Sequence, residues 1–408
     1  MGKGKSSSFI TKDKRWLYIP LGLIIFMCMG TVYSWSVFKK PIEELFKISA
    51  TQSAMPYTFF LIFYAITMPV AGGYIDKYGP KIVTIVGGLV VAAGWILSGF
   101  VSNITLLIVT YGVIAGTGVG IAYGAPMAVA AKWFPDKKGF AVGLTLAGFG
   151  LSPFITAPVA NWLVSSYGVF AAFKILGAAF AIIITVLALP LKFPNKEITD
   201  EENDKQQKEE VNFSTKEMLK KPTFYGLWIC FVIGTTAGLM AIGISSPVAE
   251  EIVKLDASTA AFLVSFFAIF NGIGRPIFGG LTDKLNPKQA TLISYSLIIL
   301  ASVIMLIVGE GNTILYALAF SLFWLNLGGW LAIAPAATGR FFGAKNYSKN
   351  YGFLFTAYGV GAFVGNMLSG RIKDILGSYR YAFYPTIALA VIGIIVALIL
   401  LKQPKKAN

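Results

Sequence analysis

The sequence predicts an all-α integral membrane protein of twelve helices, and three observations carry that reading. Hydrophobic residues fill 56% of the 408 positions and charged residues only 13%, about half the charged share of an ordinary soluble chain. The mean hydropathy of +0.71 leaves too little polar surface to cover a globule of this size. Apolar runs of spanning length recur along the whole chain, and a helix needs roughly 20 such residues to cross the bilayer core.

Each run has a physical stop at both ends. The first, Trp16 to Phe38, follows the basic stretch Lys3 to Arg15 and halts at Lys39-Lys40. Met55 to Ile75 ends at Asp76-Lys77, and Ile82 to Val101 lies between Lys81 and Ser102-Asn103. Ile104 to Ala131 ends at Lys132. Gly139 to Val164 lies between Lys138 and Ser165-Ser166, and Val169 to Leu191 runs from Gly168 to Lys192. A polar segment follows, and then Phe224 to Ser246 starts beyond Lys221-Pro222. Thr259 to Leu281 sits between Asp256 and Asp283, and Ala290 to Val308 between Lys288 and Gly309-Glu310. Thr313 to Thr338 runs from Asn312 to Arg340, Tyr351 to Ile372 from Lys349-Asn350 to Lys373-Asp374, and Ala382 to Leu401 from Arg380 to Lys402. Barrel strands alternate over roughly 10 residues, so these runs are helices, which satisfy their backbone hydrogen bonds within each span.

A net charge of +15 invites a nucleic-acid reading, and the placement of the cations removes it. Of the 34 Lys and Arg residues, 25 fall on the side of the two termini and 7 on the other. That asymmetry is the positive-inside pattern and puts both termini in the cytoplasm of a cell-membrane protein. The basic N-terminal stretch imitates a signal peptide, but the run behind it is long and eleven more follow, so it reads as the first span. Cys28 and Cys230 both fall within spans and the chain has no His. Disulfide frameworks, zinc sites and Cys/His or Ser/His nucleophile pairs therefore lose their parts, and no enzyme and no cofactor is expected.

The chain contains an internal repeat. Met68 to Lys81 and Arg275 to Lys288 are identical at seven of fourteen positions, and Gly148-Phe149-Gly150 is echoed by Ala357-Tyr358-Gly359. Two six-helix bundles in parallel orientation follow, residues 1–191 and 223–408, joined by a cytoplasmic linker over 192–222. This is the plan of the major facilitator fold, with a binding site between the halves at mid-bilayer. The repeated loop resembles the signature of that superfamily: Gly72, Asp76, Lys77, Gly79 and Lys81, then Gly279, Asp283, Lys284 and Lys288. Close packing of helix ends at the glycines and charge pairing by the aspartates suit a gate. Asn286 stands in place of the second glycine.

Charges inside the membrane cost about 2.5 to 3.5 kcal/mol each and mark function. Apart from Arg371, next to last in the eleventh run, the sequence places only Lys174 and Arg275 within spans. Lys174 lies near a span end and can snorkel. Arg275 lies eight residues before Asp283, about 12 Å along the helix axis, and in the repeat it replaces Met68. With no acid in any other span, its planar fork suits a carboxylate ligand. Asn271, four residues earlier on the same face, can orient the guanidinium, donate to the ligand or join helices. The series Gly116, Gly118, Gly120 and Gly124 lies inside a span and reads as close helix packing.

The runs Tyr33 to Phe38, Trp133 to Gly139, Gly274 to Pro276 and Lys349 to Gly352 resemble the oxalate/formate antiporter family of the major facilitators over essentially the whole chain. The resemblance implies that Arg275 matches a substrate-binding Arg, while the Lys that the oxalate exchanger holds in span eleven is Tyr358 here. One cation balances one carboxylate, so a monocarboxylate is expected rather than a dianion. The pair Asn271 and Arg275 is similar to that of bacterial monocarboxylate transporters. Animal monocarboxylate carriers have an Asp four residues before the Arg, and Asn271 cannot carry that proton, which leaves Glu250, Glu251 or Asp256 as acids for any coupled proton. The resemblance also places Tyr123, Tyr33, Phe149 and Tyr358 around the cavity. Trp35 suits the interfacial belt.

The expected function is transport of lactate- or pyruvate-like monocarboxylates by alternating access, with protons as possible co-substrates, in a monomer embedded in lipid. Oxalate/formate-type anion exchange is the alternative within transport. A carboxylate sensor that moves nothing is the alternative of another class.

Overall fold

The computed structural model describes residues 15–134, 138–194, 212–343 and 346–404, without the side chains of Asp76, Lys138, Gly139 and Ser348. The acidic and basic run of the linker, 201–210, lies outside them. Among the described residues all regular structure is helical, and twelve helices are long and apolar enough to cross a membrane. They are span 1 (Arg15–Phe46), span 2 (Ala50–Ile75), span 3 (Lys77–Ser98), span 4 (Ile104–Trp133), span 5 (Phe140–Tyr167) and span 6 (Val169–Ala188), then span 7 (Pro222–Val253), span 8 (Ala257–Lys284), span 9 (Pro287–Ile307), span 10 (Thr313–Phe342), span 11 (Lys349–Leu376) and span 12 (Tyr379–Leu400). Each contains the apolar run expected for it apart from a residue or a few at its ends. An even number of crossings puts both described chain ends on one side, the termini face; the opposite side is the far face.

Small residues let the backbones close up, as they must in lipid, where apolar burial gives helices no reason to associate. A Cβ at Gly118 would lie 2.5 Å from Val91 N, and one at Gly116 would lie 2.5 Å from Phe60 O. The glycine series of span 4 is thus the seam against spans 2 and 3. Spans 1–6 meet spans 7–12 chiefly along two helix pairs, span 2 with span 11 and span 5 with span 8, and span 1 also packs on span 7.

Several spans run further than their apolar stretches, and three of these extensions matter here. Span 1 continues past Phe38 to Phe46 and stops at Lys47 in the left-handed conformation. Span 7 ends in a π-type turn, Ala249–Val253, that carries Glu250 and Glu251. Span 11 reaches Leu376. These extensions meet at the far face. Lys40 pairs with Glu250 at 3.0 Å, Lys39 Nζ donates to Tyr379 Oη at 2.7 Å, and the Ala50 and Thr51 amides donate to Asp374 at 2.9 and 3.1 Å. Lys373 pairs with Glu251 beside them. All three direct links join the first six spans to the last six, so the far face is closed.

Two expectations change here. Lys39 is not a loop cation: it lies on the span 1 helix and is 1% exposed. Trp35 is not in an interfacial belt but fully buried, with its indole N–H donating to Ser53 O at 3.2 Å. Apolar runs stop at the first charge, whereas this helix continues because partners across the interface receive its charges. Lys174, by contrast, lies as expected near a span end, its ammonium 4.9 Å from the centre of the Phe100 ring.

Candidate functional site

The site grows from span 8. Asn271 and Arg275, one helical turn apart, face span 5, with Asn271 fully buried and Arg275 7% exposed. Arg275 Nη1 donates to Leu146 O of span 5 at 2.7 Å, a bond that crosses between the first and last six spans. Its Nε and Nη2 are buried and have no hydrogen-bond partner. These two N–H groups lie on one edge of the guanidinium, the edge that matches both oxygens of a carboxylate. The ion pairs among described residues, Lys40 with Glu250 and Lys373 with Glu251, do not include Arg275.

Asn271 Nδ2 donates to Trp324 O of span 10 at 3.3 Å, which fixes the amide's orientation and leaves Oδ1 buried without a partner. Gly150 explains how both side chains fit against span 5. A Cβ there would stand 2.4 Å from Asn271 Oδ1 and 3.4 Å from Arg275 Nη2. Three hydrogen-bonding atoms of one turn of span 8 are thus buried and unpaired at the seam between the halves, an arrangement that buried polar groups adopt only at a cost.

Next to Gly150, Phe149 begins an aromatic cluster. Its ring meets Tyr33 edge-on at 5.1 Å and Tyr123 at 5.5 Å. Tyr33 and Tyr358 share a hydroxyl–hydroxyl hydrogen bond of 2.6 Å between spans 1 and 11. One hydroxyl hydrogen is consumed by that bond, and the other remains to donate. The four aromatic residues expected around the cavity therefore form one contiguous group. The charge of Arg275 acts on Tyr33 and also on Tyr351.

Tyr64 of span 2 sits at the centre of this group, 5.0 Å from Tyr123 and 5.8 Å from Tyr358, and nothing in the residue pattern singles it out among 18 tyrosines. Phe355 packs on Tyr358 at 5.0 Å from the same span. Its spacing of three from Tyr358 is the only signal that marked it.

A family model described as Major Facilitator Superfamily matches residues 21–338. The chain belongs to this superfamily. It is 29% identical over 376 residues to the oxalate:formate antiporter of Oxalobacter formigenes, covering 92% of this chain and 88% of that one. It is 25% identical over 407 residues to human monocarboxylate transporter 2, covering 93% and 84%. A bacterial homolog of the human lysosomal transporter Spinster, solved in an inward-facing and unoccupied conformation, superposes with a TM-score of 0.74 at 15% identity, covering 99% of this chain and 100% of that one. Fold and relatives are those of multi-pass membrane transporters rather than enzymes.

The superfamily's signature loops are placed less tightly than expected. Gly79 breaks the helix near the start of span 3 at φ 81°, and Asn286 breaks the chain between spans 8 and 9 at φ 132°, so the second copy keeps the turn in a region that favours glycine. Asn286 Oδ1 also accepts from Gln289 N at 2.9 Å and caps span 9. A Cβ at Gly72 would meet nothing within 4 Å, and one at Gly279 would meet only Ala332 Cβ at 3.9 Å, so the close packing expected of these glycines is not made in this conformation. Lys77 lies over the Tyr78 ring at 5.2 Å. Asp283 and Lys284 are exposed at the end of span 8, and the Asp76 side chain lies outside the described residues.

Among the acids considered for a coupled proton, Glu250 and Glu251 are paired with lysines at the far face. Asp256 caps span 8, and the Thr259 hydroxyl and amide that donate to it hold its carboxyl below the usual range. It is a poor proton acceptor at neutral pH.

Proposed function

We propose that the chain is a secondary carrier of small monocarboxylates, working by alternating access in the cell membrane with both termini in the cytoplasm. The observation that carries this reading is the half-satisfied guanidinium of Arg275. It is buried at the seam between the two six-helix bundles, with one edge anchored and the other free. A carboxylate supplies two oxygens to Nε and Nη2 and cancels the charge, so loading removes an electrostatic penalty that the empty site retains. Residues 1–191 and 223–408 then rock about the bound anion as two units, linked by residues 192–222.

The aromatic group of Tyr33, Tyr123, Phe149 and Tyr358 bounds the ligand to a small one, and the Tyr33–Tyr358 pair supplies a hydroxyl in place of a second cation. Asn271 orients the site through Trp324. The loops around Gly72, Asp76 and Lys77, and around Gly279, Asp283 and Lys284, act as gates at the termini face. Lactate and pyruvate fit the single cation best. Exchange of carboxylates in the manner of the 29% identical relative is the second reading. Purified protein in liposomes distinguishes the two. Uptake of radiolabelled L-lactate driven by an imposed pH gradient supports proton-linked carriage, and flux only against internal carboxylate supports exchange. Absence of any carboxylate flux in either format sinks both.

A further inference from the structure

Four carboxylates sit among the contacts that close the far face, and three of them are fully served. Glu250 has Lys40 and the Ser246 hydroxyl, Glu251 has Lys373, and Asp374 accepts from two amides at the N-terminus of span 2. Glu43, half-buried on span 1, is different. It has no cation within ion-pair distance among the described residues, and its hydrogen-bond partner is the Ser53 hydroxyl of span 2.

That hydroxyl has one hydrogen and two oxygens within reach. Ser53 Oγ stands 2.5 Å from Glu43 Oε1 and 3.0 Å from the Ala50 carbonyl oxygen. With Glu43 ionised, both neighbours are acceptors and Ser53 has one proton to give. With Glu43 protonated, every atom is satisfied: the carboxyl O–H donates to Ser53 Oγ, and the Ser53 O–H donates to Ala50 O. The charges that act on Glu43 are Lys39 on its own helix, Glu251 from span 7 and Lys373 from span 11. Lys40, Glu250, Asp374 and Tyr379 complete the surrounding ring. Lys39 is committed to Tyr379 and Lys373 to Glu251. Lys254, Glu310 and Arg380 lie in the neighbouring cleft with Glu251.

We propose that Glu43 is a proton-binding site that sets the far-face gate: it takes a proton from the far-side water as the gate closes and returns it there when the gate opens. The inference rests on the alternating-access reading above. The sign follows from linkage. A carboxyl that is protonated in the closed state and ionised in the open one makes closure more favourable as pH falls, by up to about tenfold per pH unit for one proton. Far-side acidity therefore holds the site facing the termini.

The test uses the full chain with Cys28 and Cys230 replaced by alanine and spin labels at Lys47→Cys and Lys254→Cys, on opposite sides of the far-face seam. Distances between the labels are measured from pH 8 to pH 5. In the parent the short-distance population grows with acidity, in Glu43→Gln it dominates at every pH, and in Glu43→Asp the pH response returns. A Glu43→Gln protein that follows pH as steeply as the parent, or a parent that does not respond to pH, overturns the proposal. L-lactate counterflow gives a second readout, slowed by far-side acid in the parent and slow at every pH in Glu43→Gln. A parent that carries no lactate defeats the carboxylate reading alone, because the label distances still decide the role of Glu43.

Discussion

Replacing Arg275 by Gln tests the central inference, because a ligand-binding and a structural arginine give opposite results. Two free N–H groups of a cation are available to a carboxylate, and a hydrogen bond to a charged group contributes about 1.5 to 3 kcal/mol. Losing two of them costs about 3 kcal/mol or more, which is roughly a 150-fold weakening of ligand binding at 25 °C. Initial rates of L-lactate uptake in proteoliposomes should fall to background, and the thermal shift produced by added lactate should vanish. The ligand-free protein should behave otherwise. Arg275 contributes one bond, to Leu146 O, against the burial of a charge with no acid beside it, so removing the charge leaves the melting temperature of the empty protein unchanged or raises it. Arg275→Lys keeps the charge and loses the fork, and falls between the two. Lactate carriage by Arg275→Gln at the parent rate, or a several-degree loss of stability without ligand, would refute the assignment.

Other substitutions probe the surroundings. Gly150→Val places a branched side chain where a single Cβ would already collide with Asn271 Oδ1; uptake should drop at least tenfold while yield from detergent persists, measured as initial rate per folded protein. Tyr358→Phe removes the hydroxyl bonded to Tyr33 and should weaken half-saturation about fivefold, the worth of a hydrogen bond near 1 kcal/mol. Tyr358→Lys adds a second cation beside the same cluster, and oxalate should then compete with lactate for uptake where it does not in the parent. Asp374→Asn keeps the shape of the group capping span 2 but removes its charge; alkylation of a cysteine placed at Lys47 should quicken several-fold as the far face opens more often.

Much of this architecture is legible in the chain because lipid imposes a coarse code. A span must be apolar over its whole length, so twelve runs give twelve helices, and the duplicated stretch at Pro69 and Pro276 predicts their grouping in sequence. Arg275 stands out for the same reason, as a charge where the medium penalises one and where its repeat partner is Met68. The far-face ring was not legible. Lys39, Glu43, Glu251 and Asp374 follow apolar runs as ordinary loop charges would, and only the packing of spans 1, 7, 11 and 12 shows that they lie on helices that meet. Tyr64 escaped for a different reason. In a chain that is 14% aromatic, a ring at the centre of the site and a ring facing lipid look alike until a fold assigns them sides.

The link between Lys39 and Tyr379 bears on biogenesis. Span 1 is made well before span 12, yet the hydroxyl that receives its buried ammonium belongs to span 12. Until the ribosome has delivered span 12, Lys39 has only Glu43 of its own helix, water or lipid headgroups to turn to. Insertion of the early helices therefore leaves a provisional edge, and the barrier to solvent at the far face matures only once synthesis has passed Tyr379.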